Sequence, residues 1–125
     1  MDVGIQMVLA TYGWQGMSDD QAWDEEIRLA RLADELGFDA LWAVEHHFND
    51  YSFCPDNLQL TAYLAALCPK IDLGTAAVIL PWNDPLRVAE CVICGSFAAR
   101  PASARPVNSR ATSLMLNRPC GSYHL

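Results

Sequence analysis

Positive charge is scarce in this chain: eight Lys and Arg face fifteen Asp and Glu in 125 residues, a formal net charge of −7. A nucleic-acid backbone is bound by clustered basic side chains, so an acidic body argues against such a partner. The shortage is uneven. Residues 1–90 hold every acidic residue and four basic ones, a net −11, whereas 91–125 hold four arginines and no acid. Those four (Arg100, Arg105, Arg110 and Arg118) are spread singly through Pro, Ala and Ser and make a poor nucleic-acid arm. Long apolar runs are also missing: none approaches the roughly 18 residues a membrane span needs. Met1-Asp2-Val3-Gly4-Ile5 places no basic region ahead of its apolar stretch, so a secretory leader is not expected. The five cysteines (Cys54, Cys68, Cys91, Cys94 and Cys120) are odd in number and irregularly spaced. They do not read as a disulfide framework, and a reduced, cytoplasmic setting is expected.

Several chemical signatures are absent as well. No Gly-x-Gly-x-x-Gly follows the first apolar run, which weakens a dinucleotide-binding reading. Glu45, His46, His47 and Asp50 are of metal-ligand type, but they match no recognised spacing. Cys91-x-x-Cys94 has neither a second pair nor nearby histidines. No metal is expected. No cysteine sits beside a signal that would activate it as a nucleophile, so the thiols read as buried or inert.

What is present is a regular alternation of elements. Val3 to Leu9 is an apolar run of strand length, and Gly13 and Gly16 mark the loop after it. Ser18-Asp19-Asp20-Gln21 has the form of a capping box, opening a helix to Leu36. Trp23, Ile27, Ala30, Ala33 and Leu36 recur along it at helical spacing, while Asp24, Glu25, Arg28, Arg31, Asp34 and Glu35 occupy the remaining surface. Gly37 stops it. Phe38 to Val44 is the second strand, followed by a polar, aromatic loop. Pro55-Asp56-Asn57 opens a second helix carrying Leu58, Thr61, Leu64, Ala65 and Cys68, ended by Pro69. Ile71 to Leu80 is a third strand-like run bounded by Pro81, and Asp84-Pro85 has the cap-then-proline form of a helix start.

The order β-α-β-α-β-α, with largely apolar strands, predicts a parallel sheet covered by helices. An open doubly wound sheet and the first part of a (β/α)8 barrel both fit. A whole barrel takes about 250 residues, so this chain supplies less than half of one. The grammar breaks after Gly95, where prolines recur at 101, 106 and 119 and no strand-length apolar run returns. The expected division is a partial barrel domain over 1–92 and an irregular, disordered tail over 93–125.

Two of the three histidines, His46 and His47, adjoin each other and Glu45 where the second strand ends. In parallel α/β folds the carboxyl ends of the strands line the ligand crevice, so this cluster is a candidate site. On extended backbone the two rings point to opposite sides, and only one readily faces a ligand while the other packs. Glu45 is placed to orient an imidazole or carry its counter-charge. In the third run, Gly74-Thr75-Ala76-Ala77 sets four small residues in a row, which suits either close approach of a flat ligand or ordinary tight packing.

Three segments resemble the bacterial luciferase-like, flavin-dependent monooxygenases, a family of (β/α)8 TIM barrels. They are Leu36-Gly37-Phe38-Asp39-Ala40-Leu41-Trp42 leading into Glu45-His46-His47-Phe48, then Leu73 to Pro81, then Asp84 to Glu90. The resemblance covers about residues 1–90. It implies reduced FMN from a separate flavin reductase, oxygen, and a small organic substrate. It also implies that His46 is the active-site histidine beside the flavin, and that Ala76-Ala77 is a non-proline cis peptide against the flavin ring. A homo-oligomer is compatible with it. A deazaflavin-dependent oxidoreductase of the same fold, and a non-catalytic barrel fragment unable to bind flavin, stand as alternatives. Past Glu90 the family pattern gives way to acid-free sequence rich in Arg, Pro, Ala and Ser, the composition of GC-rich DNA read out of frame. A frameshift near Glu90, leaving an inactive chain, is the corresponding expectation.

Overall fold

Four residues of each apolar run pair into one parallel sheet: β1 (Gly4–Met7), β2 (Ala40–Ala43) and β3 (Asp72–Thr75), in the order β1-β2-β3. The computed structural model describes residues 1–13, 16–49 and 51–98, with side chains through residue 95. Register places Gln6 beside Trp42 and Trp42 beside Gly74, and pairs Met7, Ala43 and Thr75 at the strand ends. Helices α1 (Asp19–Leu36), α2 (Asn57–Leu67) and α3 (Pro85–Ala98) alternate with the strands. The expected alternation of strand and helix is therefore present.

Each helix begins where a side chain can take up its free N–H groups. Ser18 accepts from the Gln21 N–H while the Gln21 side chain accepts from the Ser18 N–H, and Asp19 and Asp20 sit favourably in the first turn of α1. Asp56 caps α2 by accepting from the Gln59 N–H at 3.0 Å. Asp84 accepts from the N–H groups of Leu86 and Arg87. Gly37 ends α1 at φ 81°, a left-handed conformation that suits glycine.

Alternation along the strands sends Met7, Leu41 and Ala43 to the helix side, where Leu9, Ala30, Ala33, Leu60, Leu64, Cys68 and Ile71 complete the core. Removing a leucine such as Leu64 from water contributes about 1.5–3 kcal/mol. The opposite face is covered differently. There the Trp42 indole lies across two glycines: a Cβ at Gly74 would fall 2.5 Å from the ring, and one at Gly4 would fall 3.1 Å from Nε1.

Three sequence expectations are corrected by tertiary contacts. Leu36 is 67% exposed and leaves the α1 core stripe. Asp34, expected on the surface, is buried instead. Its Oδ1 accepts from the N–H groups of Lys70 and Ile71 at 2.7 and 2.8 Å, tying α1 to the entry of β3. The third strand ends at Thr75 rather than Leu80. Ala76 still donates to the Ala43 carbonyl, but beyond it side chains replace β2 as partners: Asn57 binds the Ala77 carbonyl and Glu45 binds the Ile79 N–H. Leu80–Trp82 then forms a single 3₁₀ turn.

The expected boundary at residue 92 falls inside α3, which runs to Ala98. Asp50 and residues 99–125, with Arg100, Arg105, Arg110, Arg118, Cys120 and His124, lie outside the described residues. Among the described residues no helix is long and apolar enough to cross a membrane.

Candidate active site

The carboxyl ends of β2 and β3 carry the candidate site. Since β2 is central and its Ala43 pairs with Thr75, His46 and the Ala76-Ala77 pair follow directly from adjacent strand ends. The Ala76–Ala77 peptide is cis, as the resemblance implied, and both alanines are exposed.

The two histidines have different surroundings. His46 donates its backbone N–H to the Cys54 carbonyl at 2.9 Å, which folds the β2–α2 loop back on itself. Its ring meets Tyr51 edge-on at 5.2 Å, and its nitrogens make no hydrogen bond among the described residues. The His47 ring is held on two sides. Nε2 lies 2.7 Å from Oε1 of Glu45, and the ring plane stacks on Trp82 with centroids 4.8 Å apart and 18° between planes. Phe48 follows at φ 53°, a left-handed conformation that bulky side chains seldom adopt, and is almost fully exposed beside Trp82.

Buried polar side chains brace this end of the sheet. Asn57, at the start of α2, is wholly buried, and its Nδ2 donates to the carbonyls of Ala43 and Ala77, each at 3.2 Å. One amide thus joins the end of β2 to the small-residue segment after β3. Asn83 donates to both Glu45 and the Ile79 carbonyl. Sequence reasoning singled out Glu45 but missed Asn57, Asn83 and Trp82. An Asn directly after an Asp cap reads as solvent-facing unless its tertiary partners are known.

The two buried thiols are held protonated by their surroundings. Burial pushes the Cys54 thiol up to about 11; a hydrogen bond to the Asp56 backbone opposes this, and the Asp56 and Glu45 carboxylates add to it. Burial also raises Cys68. Cys91 and Cys94 are free and exposed on α3, whereas Cys54 and Cys68 are buried. Among the described residues no group of three or more His, Cys, Asp and Glu side chains is placed to hold a metal ion.

A parallel β/α sheet with histidines at its strand carboxyl ends has the arrangement of an α/β enzyme fold, and the solved relatives below match it as the first part of a (β/α)8 barrel. The luciferase-like monooxygenase family matches residues 3–93, and the chain belongs to that family. The alkanal monooxygenase alpha chain of Photorhabdus laumondii is 34% identical over 84 residues, 67% of this chain and 23% of the relative. Among solved structures, monooxygenase RslO1 of Streptomyces bottropensis superposes with a TM-score of 0.70 at 33% identity, covering 79% of this chain and 30% of that one. The oxygenating constituent of 3,6-diketocamphane monooxygenase from Pseudomonas putida, a type II Baeyer–Villiger monooxygenase solved with FMN, gives a TM-score of 0.68 at 25% identity, covering 98% and 34%. The chain thus spans about a quarter to a third of the length of these proteins.

Proposed function

We propose that this chain forms one wall of a flavin site in a (β/α)8 monooxygenase, where reduced FMN and oxygen act on a small organic substrate. The observation that carries the reading is the placement, at adjacent strand ends, of a histidine ring with unbonded nitrogens and two exposed alanines. These residues fit a flat ring: alanine methyls leave the backbone after β3 open to close approach, and Asn57 fixes the Ala77 carbonyl beneath them. Ala76 and Ala77 would support the isoalloxazine, and His46 would stand beside it.

Reduced FMN supplies the electrons that activate oxygen for the oxidation. His46 holds or passes a proton at a ring nitrogen, the usual task of an imidazole near neutral pH. Trp82 and Phe48 present aromatic surface at the mouth, suited to excluding water once the site is closed. In this reading a separate reductase delivers the flavin in the cytoplasm, and the remaining β/α units supply the flavin-phosphate and specificity loops.

The coverage of only a quarter to a third of the relatives favours a second reading, a non-catalytic barrel fragment that is inactive by itself. Titrating FMN and a deazaflavin into the purified chain separates the possibilities. Saturable quenching of FMN fluorescence, weakened by Ala77→Trp, is expected. Preference for the deazaflavin would move the assignment to that cofactor class, and no flavin binding would leave the fragment.

A further inference from the structure

Glu45 is an unusual residue to bury. Its side chain is 1% exposed, and no Lys or Arg ion pair reaches it among the described residues. A carboxylate withdrawn from water persists when donors fill its oxygens. Three donors do so: His47 Nε2 at 2.7 Å and Asn83 Nδ2 at 3.2 Å on Oε1, and the Ile79 N–H at 3.0 Å on Oε2. Two of them come from the segment after β3, so one side chain at the end of the central strand fastens the next β/α connection.

An ionised carboxylate only accepts, so every partner must present a hydrogen. For the Ile79 amide and the Asn83 side chain this is automatic. For His47 it requires the ring proton on Nε2. The ring so held is the one stacked on Trp82. Asn83 also donates to the Ile79 carbonyl at 3.1 Å, closing the turn that carries Trp82. The next ring along the chain, His46, has no such anchor: its backbone is fixed and its nitrogens are unbonded among the described residues.

We propose that Glu45 is a positioning residue that divides the work of the two adjacent histidines. It commits His47, with a ring proton on Nε2, to the frame that orients Trp82, and so leaves His46 as the ring that meets the ligand. The ligand part rests on the flavin reading above, whereas the Nε2 proton and the stack stand without it.

The test is nitrogen-resolved NMR of the full chain labelled at histidine, in wild type, Glu45→Gln and His46→Gln. The wild type should show a His47 ring proton on Nε2 that is protected from solvent exchange, and no protected ring proton on His46. His46→Gln should keep the His47 signal, and Glu45→Gln should shift or lose it. A His47 ring without a proton on Nε2 in the wild type overturns the proposal without any variant needing to fold. So does a signal unchanged in Glu45→Gln, or one lost in His46→Gln. FMN titration is read separately: where wild type binds, Glu45→Gln should bind about tenfold more weakly, and equal affinity would overturn the positioning role. A wild type that binds no FMN ends the flavin reading, while the ring-proton spectrum still judges Glu45.

Discussion

Gly74→Ala should destabilise the protein through a single neighbour, Trp42. The new Cβ would lie 2.5 Å from Cζ3 and 2.6 Å from Cε3 of the indole. Carbon atoms rest at about 3.5–4.0 Å, so the ring must move by an ångström or more. Its Nε1 end lies over Gly4 on the far strand, where an added Cβ would meet it at 3.1 Å. Overpacking of this kind costs about 1–3 kcal/mol. Against it, alanine restricts the unfolded chain and returns about 0.4–1 kcal/mol. The expected net loss is about 1–2 kcal/mol. Trp42→Leu removes the obstacle, and in that background Gly74→Ala should be neutral or slightly stabilising, a coupling of at least about 1 kcal/mol. Urea unfolding followed by far-UV circular dichroism, on the four proteins of the cycle, measures it. Gly4→Ala is the internal control: its Cβ also meets the Ala40 carbonyl at 3.1 Å, so Trp42→Leu should relieve it only in part. An equal cost for Gly74→Ala in both backgrounds would show that the indole does not cover that glycine.

Asp34→Ala strands two backbone N–H groups and should cost about 1–3 kcal/mol for each, whereas Asp34→Asn keeps an acceptor oxygen and should recover most of the loss in the same unfolding assay. Asn57→Ala should destabilise by about 1–3 kcal/mol by freeing the Ala77 carbonyl and removing one of two donors from the Ala43 carbonyl, and Asn57→Asp should fare no better because a carboxylate has no hydrogen to donate. The folded state holds the Cys54 proton more tightly than the unfolded chain does. The stability this contributes is intact below pH 9.0 and is lost as pH rises towards about 11. Urea midpoints across that window should fall in wild type and fall less in Cys54→Ala, with Cys68 and Tyr12, which are also raised, contributing to the remainder. A thiol reagent at neutral pH should label Cys91 and Cys94 well before Cys54 and Cys68, which mass spectrometry of the labelled chain would resolve.

The features legible in the sequence are those with local causes. The Ser18–Gln21 box, Gly37, Asp56 and Asp84-Pro85 each satisfy backbone groups within a few residues, and each marks a helix end in the structure. The unread features depend on partners far along the chain. Asp34 looks like one more charge on the polar face of α1 until the amides of Lys70 and Ile71 arrive 36 and 37 residues later. The run from Ile71 to Leu80 has strand composition throughout, yet Asn57 and Glu45 draw its second half away from β2. The pairing of Glu45 with His47 rather than His46 lies between these cases. Alternation places residues 45 and 47 on one side of an extended chain and 46 on the other, so the partner was deducible, but the stack on Trp82 was not.

The same alternation explains why the chemistry gathers at one end of the sheet. Leu41 and Ala43 point to the helices and are buried there, so that face is closed by the core. Trp42 points the other way and lies across Gly4 and Gly74, so within this part of the sheet the second face is covered by an indole. The helix side is filled by the core, whereas on the other side Gln6 stands exposed beside Trp42. Past Ala43 and Thr75 the strands separate, backbone groups lose their neighbours, and side chains can reach them. Glu45, Asn57 and Asn83 do so: Asn57 bonds two backbone carbonyls, Asn83 bonds the Ile79 carbonyl and Glu45, and Glu45 bonds the Ile79 N–H, Asn83 and His47. The His46 ring nitrogens make no hydrogen bond among the described residues, and the alanine pair beside them is exposed. A substitution that opened the inner face, such as Trp42→Ala, should therefore loosen the sheet while leaving the Glu45–His47 ring proton in place. Loss of that proton in Trp42→Ala would mean that the rim depends on the face below it.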